Sequence, residues 1–190
     1  STTNGLEGLA SLHNDGLLVL DELSQIRPED AGEAAYLLAN GQGKTRATKG
    51  GTARPATQWR LLFLSAGEES LSSLMRQGGK RSTAGQEIRM AEIGADAGAG
   101  MGMFECLHEY DDAASFADAL KQSSAAFYGQ VGMSWLECLV SDLEGLPARL
   151  KTDIDRFAKA VVPIGAGGQV ERVARRFGLV AVAGEYATTK

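Results

Sequence analysis

LLVLDE, residues 17–22, sets four consecutive apolar residues against two carboxylates. A short apolar run, bounded by the Asn14-Asp15-Gly16 turn on one side and by acid on the other, predicts a strand buried on both faces of a parallel sheet. Burial makes such a strand rigid. It fixes the positions of Asp21 and Glu22 at the carboxyl end, where open α/β sheets bind ligands. A buried strand that merely ends in a charged turn would read the same way from these six residues alone.

In P-loop nucleotide hydrolases, the strand beside the phosphate loop ends in acid. The first carboxylate helps hold magnesium, and a following glutamate orients or deprotonates the attacking water. Asp21 and Glu22 suit those two roles. WRLLFLS (59–65) is a second strand candidate, and it ends in Ser65. Neighbouring strands of such enzymes present a polar side chain there to sense the γ-phosphate, although serine is also an ordinary turn residue. Arg76, Lys80, Arg81 and Arg89 follow, and arginines beyond such a strand can reach a neighbouring subunit's nucleotide.

Around these strands the pattern alternates. Asn4 and Glu7 have capping-box spacing, and Leu6, Leu9 and Leu12 predict a helix to about His13. Pro28, Glu29 and Asp30 open a second helix, which stops at Asn40-Gly41. SLSSLMRQ (70–77) predicts a short helix, EIRMAEI (87–93) a third strand, and GADAGAGMG (94–102) a flexible connection. From about Asp111 the pattern is helical, with breaks near Gly129, Gly145-Leu146-Pro147 and the glycine-rich run at 165–168. Strands alternating with helices, then helices alone, predict an α/β core over residues 1–110 and a helical segment over 111–190.

ANGQGKTRATKGG (39–51) contains Gly-Lys-Thr, the end of a phosphate-binding loop. The full pattern requires glycine five positions before Gly43, following a strand and opening a helix. Leu38 stands there, behind a helix, and the following residues are too rich in glycine and threonine to form one. No acid lies between Glu33 and Glu68, whereas Lys44, Arg46, Lys49, Arg54 and Arg60 do. Acid collects elsewhere, at Glu105, Glu109, Asp111 and Asp112, within a net charge of −5. A basic loop on a weakly acidic chain suggests a local anionic partner.

The 190 residues hold no apolar run near membrane-spanning length and open on no secretory leader. Cys106 and Cys138 are too few and too far apart for a disulfide framework or a zinc site, which suits a reducing cytoplasm. His13 and His108 lack neighbours at metal-ligand spacing. Gly-x-Ser-x-Gly is absent, so Ser65 is not on a nucleophile elbow.

NGLEGLA (4–10), HNDGLLVLDE (13–22), GEAAYLLANGQGK (32–44), WRLLFLSAGE (59–68), AGQEIR (84–89) and RVARRFGLVAVAGE (172–185) together resemble a bacterial and phage family. It is catalogued as domain of unknown function 927 and described as predicted superfamily helicases and their inactivated derivatives. The resemblance runs over nearly the whole chain. It implies a RecA/AAA-like P-loop ATPase fold, ATP and Mg2+ as cofactors, single-stranded DNA as partner, and a homo-oligomeric ring such as a hexamer. It matches Asp21 and Glu22 to the magnesium-acid motif, Ser65 to the γ-phosphate sensor and Arg172 to a second nucleotide sensor.

The family's phosphate loop belongs before Asn4. The chain beginning at Ser1 reads as a piece of a longer protein lacking that unit, expected to bind ATP poorly by itself. In ring helicases an insertion placed like residues 41–54 can enter the central channel. Lys44, Arg46, Lys49 and Arg54 would then contact phosphates without reading sequence. The rival expectation is an inactivated ATPase fold kept for nucleic-acid binding or assembly.

Overall fold

The computed structural model describes residues 3–21, 27–47, 51, 53–81, 85, 88–96 and 98–189. The chain divides into two compact units, Ser1–Glu92 and Ile93–Lys190.

The first unit runs α1 (Thr3–Leu12), β1 (Gly16–Asp21), α2 (Pro28–Asn40), β2 (Arg46–Ala47), β3 (Ala53–Arg54), β4 (Leu61–Ala66) and α3 (Leu71–Gln77). As the two apolar runs predict, β1 and β4 pair in parallel, from Gly16 opposite Leu61 to Asp21 opposite Ala66. The Asn14-Asp15-Gly16 turn sets this register. Asp15 takes φ 61°, a left-handed conformation that aspartate tolerates better than most residues. Its amide donates to the Arg60 carbonyl at 2.5 Å. Arg60 Nε returns a bond to the Asp15 carboxylate at 2.8 Å, and the Arg60 amide donates to Asn14 Oδ1 at 2.7 Å. The end of the first turn is thereby buckled to the start of β4.

The sheet packs on one face only, where the run 17–20 predicts burial on both. Leu18 is buried, and Leu20, Leu61 and Phe63 pack on the same core. Leu17, Val19, Leu62 and Leu64, on the opposite face by the period of two, are exposed. The helical layer lies on one side. Leu6 and Ala10 of α1, Ala31, Ala34, Ala35, Leu37 and Leu38 of α2, and Leu71, Leu74 and Met75 of α3 complete the core with Trp59.

Small residues let these elements approach closely. A Cβ on Gly78 would lie 2.6 Å from the Glu29 amide nitrogen, so the end of α3 abuts the start of α2. α2 begins with proline and two acids, as its dipole favours. It ends at Gly41 with φ 71°. One of its terminal carbonyls, on Leu38, accepts the buried Trp59 indole N–H at 3.0 Å, satisfying a group the helix itself cannot.

The expected third strand, 87–93, is not one over its described residues, 88–93, which are turn and irregular backbone. Side chains hold them instead of a ladder. Met90 packs on the core, Arg89 lies 4.6 Å over the Tyr36 ring, and Glu92 accepts the Leu71 amide at 2.6 Å, capping α3.

The second unit opens with irregular backbone. Phe104, His108 and Tyr110 gather around Phe116 with ring centroids 4.7, 5.5 and 5.2 Å away. Four helices follow, as predicted: α4 (Ala113–Ala126), α5 (Gln130–Ser141), α6 (Leu146–Val161) and α7 (Gly168–Thr189). Asp112 caps α4 by accepting the Ser115 amide at 2.7 Å. The breaks fall at the predicted glycines, with Gly129 at φ 80° before α5 and Gly145 before α6.

α6 and α7 run antiparallel. Arg149 reaches the Tyr186 hydroxyl at 3.3 Å near one end, and Asp155 meets Arg175 at 2.5 Å farther along. Ala158, Ala174 and Gly178 are buried in this unit. A Cβ on Gly178 would sit 3.1 Å from the Phe157 ring, so the α6–α7 seam depends on small residues. Tyr186 donates to Asp142 at 2.7 Å and packs edge-on to Trp135 at 5.4 Å, tying α5 to the pair. Among the described residues, no helix is long and apolar enough to cross a membrane.

Candidate functional site

Parallel strands deliver their carboxyl ends to one edge, and β1 and β4 do so in register. Asp21, the last residue of β1, stands opposite Ala66, and Leu20 stands opposite Ser65. Asp21 and Ser65 therefore share one end of the sheet but occupy opposite faces of the pleat. Asp21 is exposed. Ser65 is half-buried, on the face that packs against the helices, and its hydroxyl donates to the Ala66 carbonyl at 3.3 Å. Glu22 lies outside the described residues. Arg76 is exposed in the last turn of α3, and Arg81 is exposed in irregular backbone after it. Arg172 is exposed on α7, in the second unit. Among the described residues, no three His, Cys, Asp or Glu side chains gather as a metal-binding cluster.

The basic loop has more order than its composition predicts. Its two arms form an antiparallel ribbon with one constant register. The Trp59 amide donates to the Gly41 carbonyl at 2.9 Å, and the Gly43 amide to the Thr57 carbonyl at 2.8 Å. Gln42 bridges Gln58, Arg46 stands opposite Arg54, and Ala47 opposite Ala53. Every pair sums to the same residue number, so no bulge interrupts the arms. At the base of the ribbon Gln42, Lys44 and Gln58 are exposed, whereas Gly43 and Trp59 are buried. Lys49 lies outside the described residues.

Glu7 organises the base of this ribbon. Its carboxylate is buried within α1 and accepts the Lys44 amide at 3.2 Å. A Cβ on Gly43 would lie 3.1 Å from the same carboxylate, so a side chain there would have to displace it by a few tenths of an ångström. The Lys44 ammonium meets Glu33 of α2 at 2.5 Å. Gly-Lys-Thr is thus held by two carboxylates, the opposite of a cradle whose amides and lysine face a phosphate. The sequence signals Glu7 only through its spacing from Asn4. Its reach across 37 positions to Lys44 belongs to the tertiary structure.

No curated protein and no solved structure matches the chain. The family comparison covers α1, β1, α2 and both arms of the ribbon: residues 1–58 match the model of the family described as Domain of unknown function (DUF927).

Proposed function

We propose that this chain carries part of the nucleotide-hydrolysing core of a DNA helicase, acting as a ring in the cytoplasm with ATP and Mg2+. The observation that carries the reading is the in-register parallel pairing of β1 with β4, which brings an acid-ended strand and a serine-ended strand to one sheet edge. Ligands of open α/β sheets bind at that edge. One exposed carboxylate there suits magnesium, which uses one or two protein carboxylates alongside substrate phosphates and water. In this reading Asp21 is the magnesium carboxylate, Glu22 the residue that positions water and Ser65 the γ-phosphate sensor. Arg81 and Arg172 contact nucleotide. The uncovered sheet face agrees with a partial core, because parallel sheets are ordinarily covered on both sides.

The ribbon binds single-stranded DNA through its basic residues. Backbone phosphates are met without base reading, since Lys44, Arg46, Lys49 and Arg54 have no aromatic side chains among them for stacking.

A second reading is an ATPase fold kept only for nucleic-acid binding or assembly. One set of variants separates the two, made in a full-length parent that carries the phosphate loop. Glu22→Gln should preserve ATP binding and suppress hydrolysis, and Asp21→Ala should also weaken magnesium-dependent binding. Replacing Lys44, Arg46, Lys49 and Arg54 with alanine should flatten the log-log salt dependence of DNA binding by about 0.7 per lost contact, on unrelated sequences alike. Unchanged turnover in both acid variants sinks the catalytic reading. An unchanged salt slope sinks the ribbon's role.

A further inference from the structure

Glu33 and Lys44 join α2 to the ribbon. The Lys44 ammonium donates to a Glu33 carboxylate oxygen at 2.5 Å. Glu33 is the last acid before the basic segment, and no other follows until Glu68. The basic segment therefore begins with a cation that is already paired to a carboxylate.

The backbones beneath both side chains are fixed. Gly32 and Ala34, on either side of Glu33, are among the buried residues that dock α2 on the core. The Lys44 amide is held by the buried Glu7 carboxylate. The two side chains differ from their backbones, with Lys44 52% and Glu33 48% exposed. Exposed side chains change rotamer in picoseconds to nanoseconds. The Lys44 ammonium can therefore exchange one acceptor for another by side-chain rotation alone, with α2 and the ribbon base left in place.

A carboxylate and a phosphate offer this ammonium the same chemistry, anionic oxygens that accept charge-assisted hydrogen bonds. We propose, resting on the reading that the ribbon binds single-stranded DNA, that Glu33 competes with backbone phosphate for Lys44. A strand then reaches this lysine only by displacing the carboxylate. Exposed ion pairs are weak, so Glu33 lowers affinity by about two- to fivefold and does not close the site. Glu33 is thus an acidic restraint on the ribbon, built into the helix that precedes it.

Fluorescence anisotropy of a labelled oligothymidylate with the full chain tests the competition, with circular dichroism confirming that each variant keeps its helices. Glu33→Gln keeps the size of the side chain and removes its charge, and should tighten binding about two- to fivefold. Glu29→Gln makes the same charge change one turn earlier on α2, where the carboxylate pairs with Arg27 instead, and should have a much smaller effect. In a Lys44→Ala background, the gain from Glu33→Gln should fall to the Glu29→Gln level. No gain, equal gains from the two glutamines, or a gain that persists without Lys44 would each overturn the competition. The ribbon's own role has a separate readout, because Arg46→Ala with Arg54→Ala should flatten the salt dependence whatever stands at position 33. A flattened slope beside an ineffective Glu33→Gln refutes the competition and leaves the ribbon's role standing. An unchanged slope together with an ineffective Lys44→Ala refutes both.

Discussion

The two units reach order by different routes. In Ser1–Glu92, three helices converge on one face of a parallel strand pair, and the large side chains Leu6 and Leu38 are only 1% and 2% exposed. In Ile93–Lys190, the buried residues of α6 and α7 are Ala158, Ala174 and Gly178, while Leu136 and Val140 of α5 are 53% and 65% exposed. The first unit derives its stability from the hydrophobic effect acting on a closed core. The second buries small residues in its α6–α7 seam and carries partly exposed polar ties such as Asp142 with Tyr186 and Asp155 with Arg175. Met133, Leu136, Val140 and Leu143 stay exposed. A layer of helices over a sheet can enclose large side chains, whereas a short antiparallel pair encloses only the residues of its seam.

The largest expected difference comes from matched truncations. Leu38→Ala empties a buried position and should cost about 2–5 kcal/mol in urea unfolding. Leu136→Ala, at an exposed position, should change the stability of the dilute chain by about 0.5 kcal/mol or less. Equal losses at both sites would show that the second unit buries Leu136, and the contrast would collapse.

An intermediate effect is expected at Trp59. Trp59→Phe keeps most of the buried ring but leaves the Leu38 carbonyl without its indole donor. The expected cost is about 1–3 kcal/mol, the penalty for an unsatisfied buried acceptor. A stability equal to that of the unaltered protein would mean that the indole bond does not tie the ribbon base to α2.

The smallest effect is electrostatic and belongs to the second unit. The Arg175 guanidinium, first by hydrogen bonding, holds the Asp155 carboxyl below the usual carboxylate range. A carboxyl depressed in the folded state contributes stability above its unfolded pKa of about 3.9. That contribution is lost as pH falls through the folded value. Acidification should therefore lower the thermal midpoint of the unaltered chain more than that of Asp155→Asn. Both groups are only half-buried, so the difference should be slight and should shrink further in salt.

The sequence by itself determined where the elements start and stop. Pro28 with two acids opens α2, Gly41 closes it, and glycines separate the later helices. Those signals work because caps, proline and glycine act within one turn of backbone. It also predicted strands over 17–21 and 59–65, and the chain forms them over Gly16–Asp21 and Leu61–Ala66. Their common edge carries Asp21 and Ser65, both legible as candidate residues before any coordinates.

Only the tertiary structure decided which sheet face is covered, because a continuous run such as LLVL carries no alternation to distinguish its faces. It alone turned 88–93 from an expected strand into side-chain-held backbone, since no neighbouring strand offers that segment a ladder among the described residues. It alone shaped the basic loop into a ribbon and set Glu7 and Glu33 against Lys44. Those contacts join groups that local sequence patterns leave far apart, and only packing α1 and α2 on one core brings them within hydrogen-bonding reach.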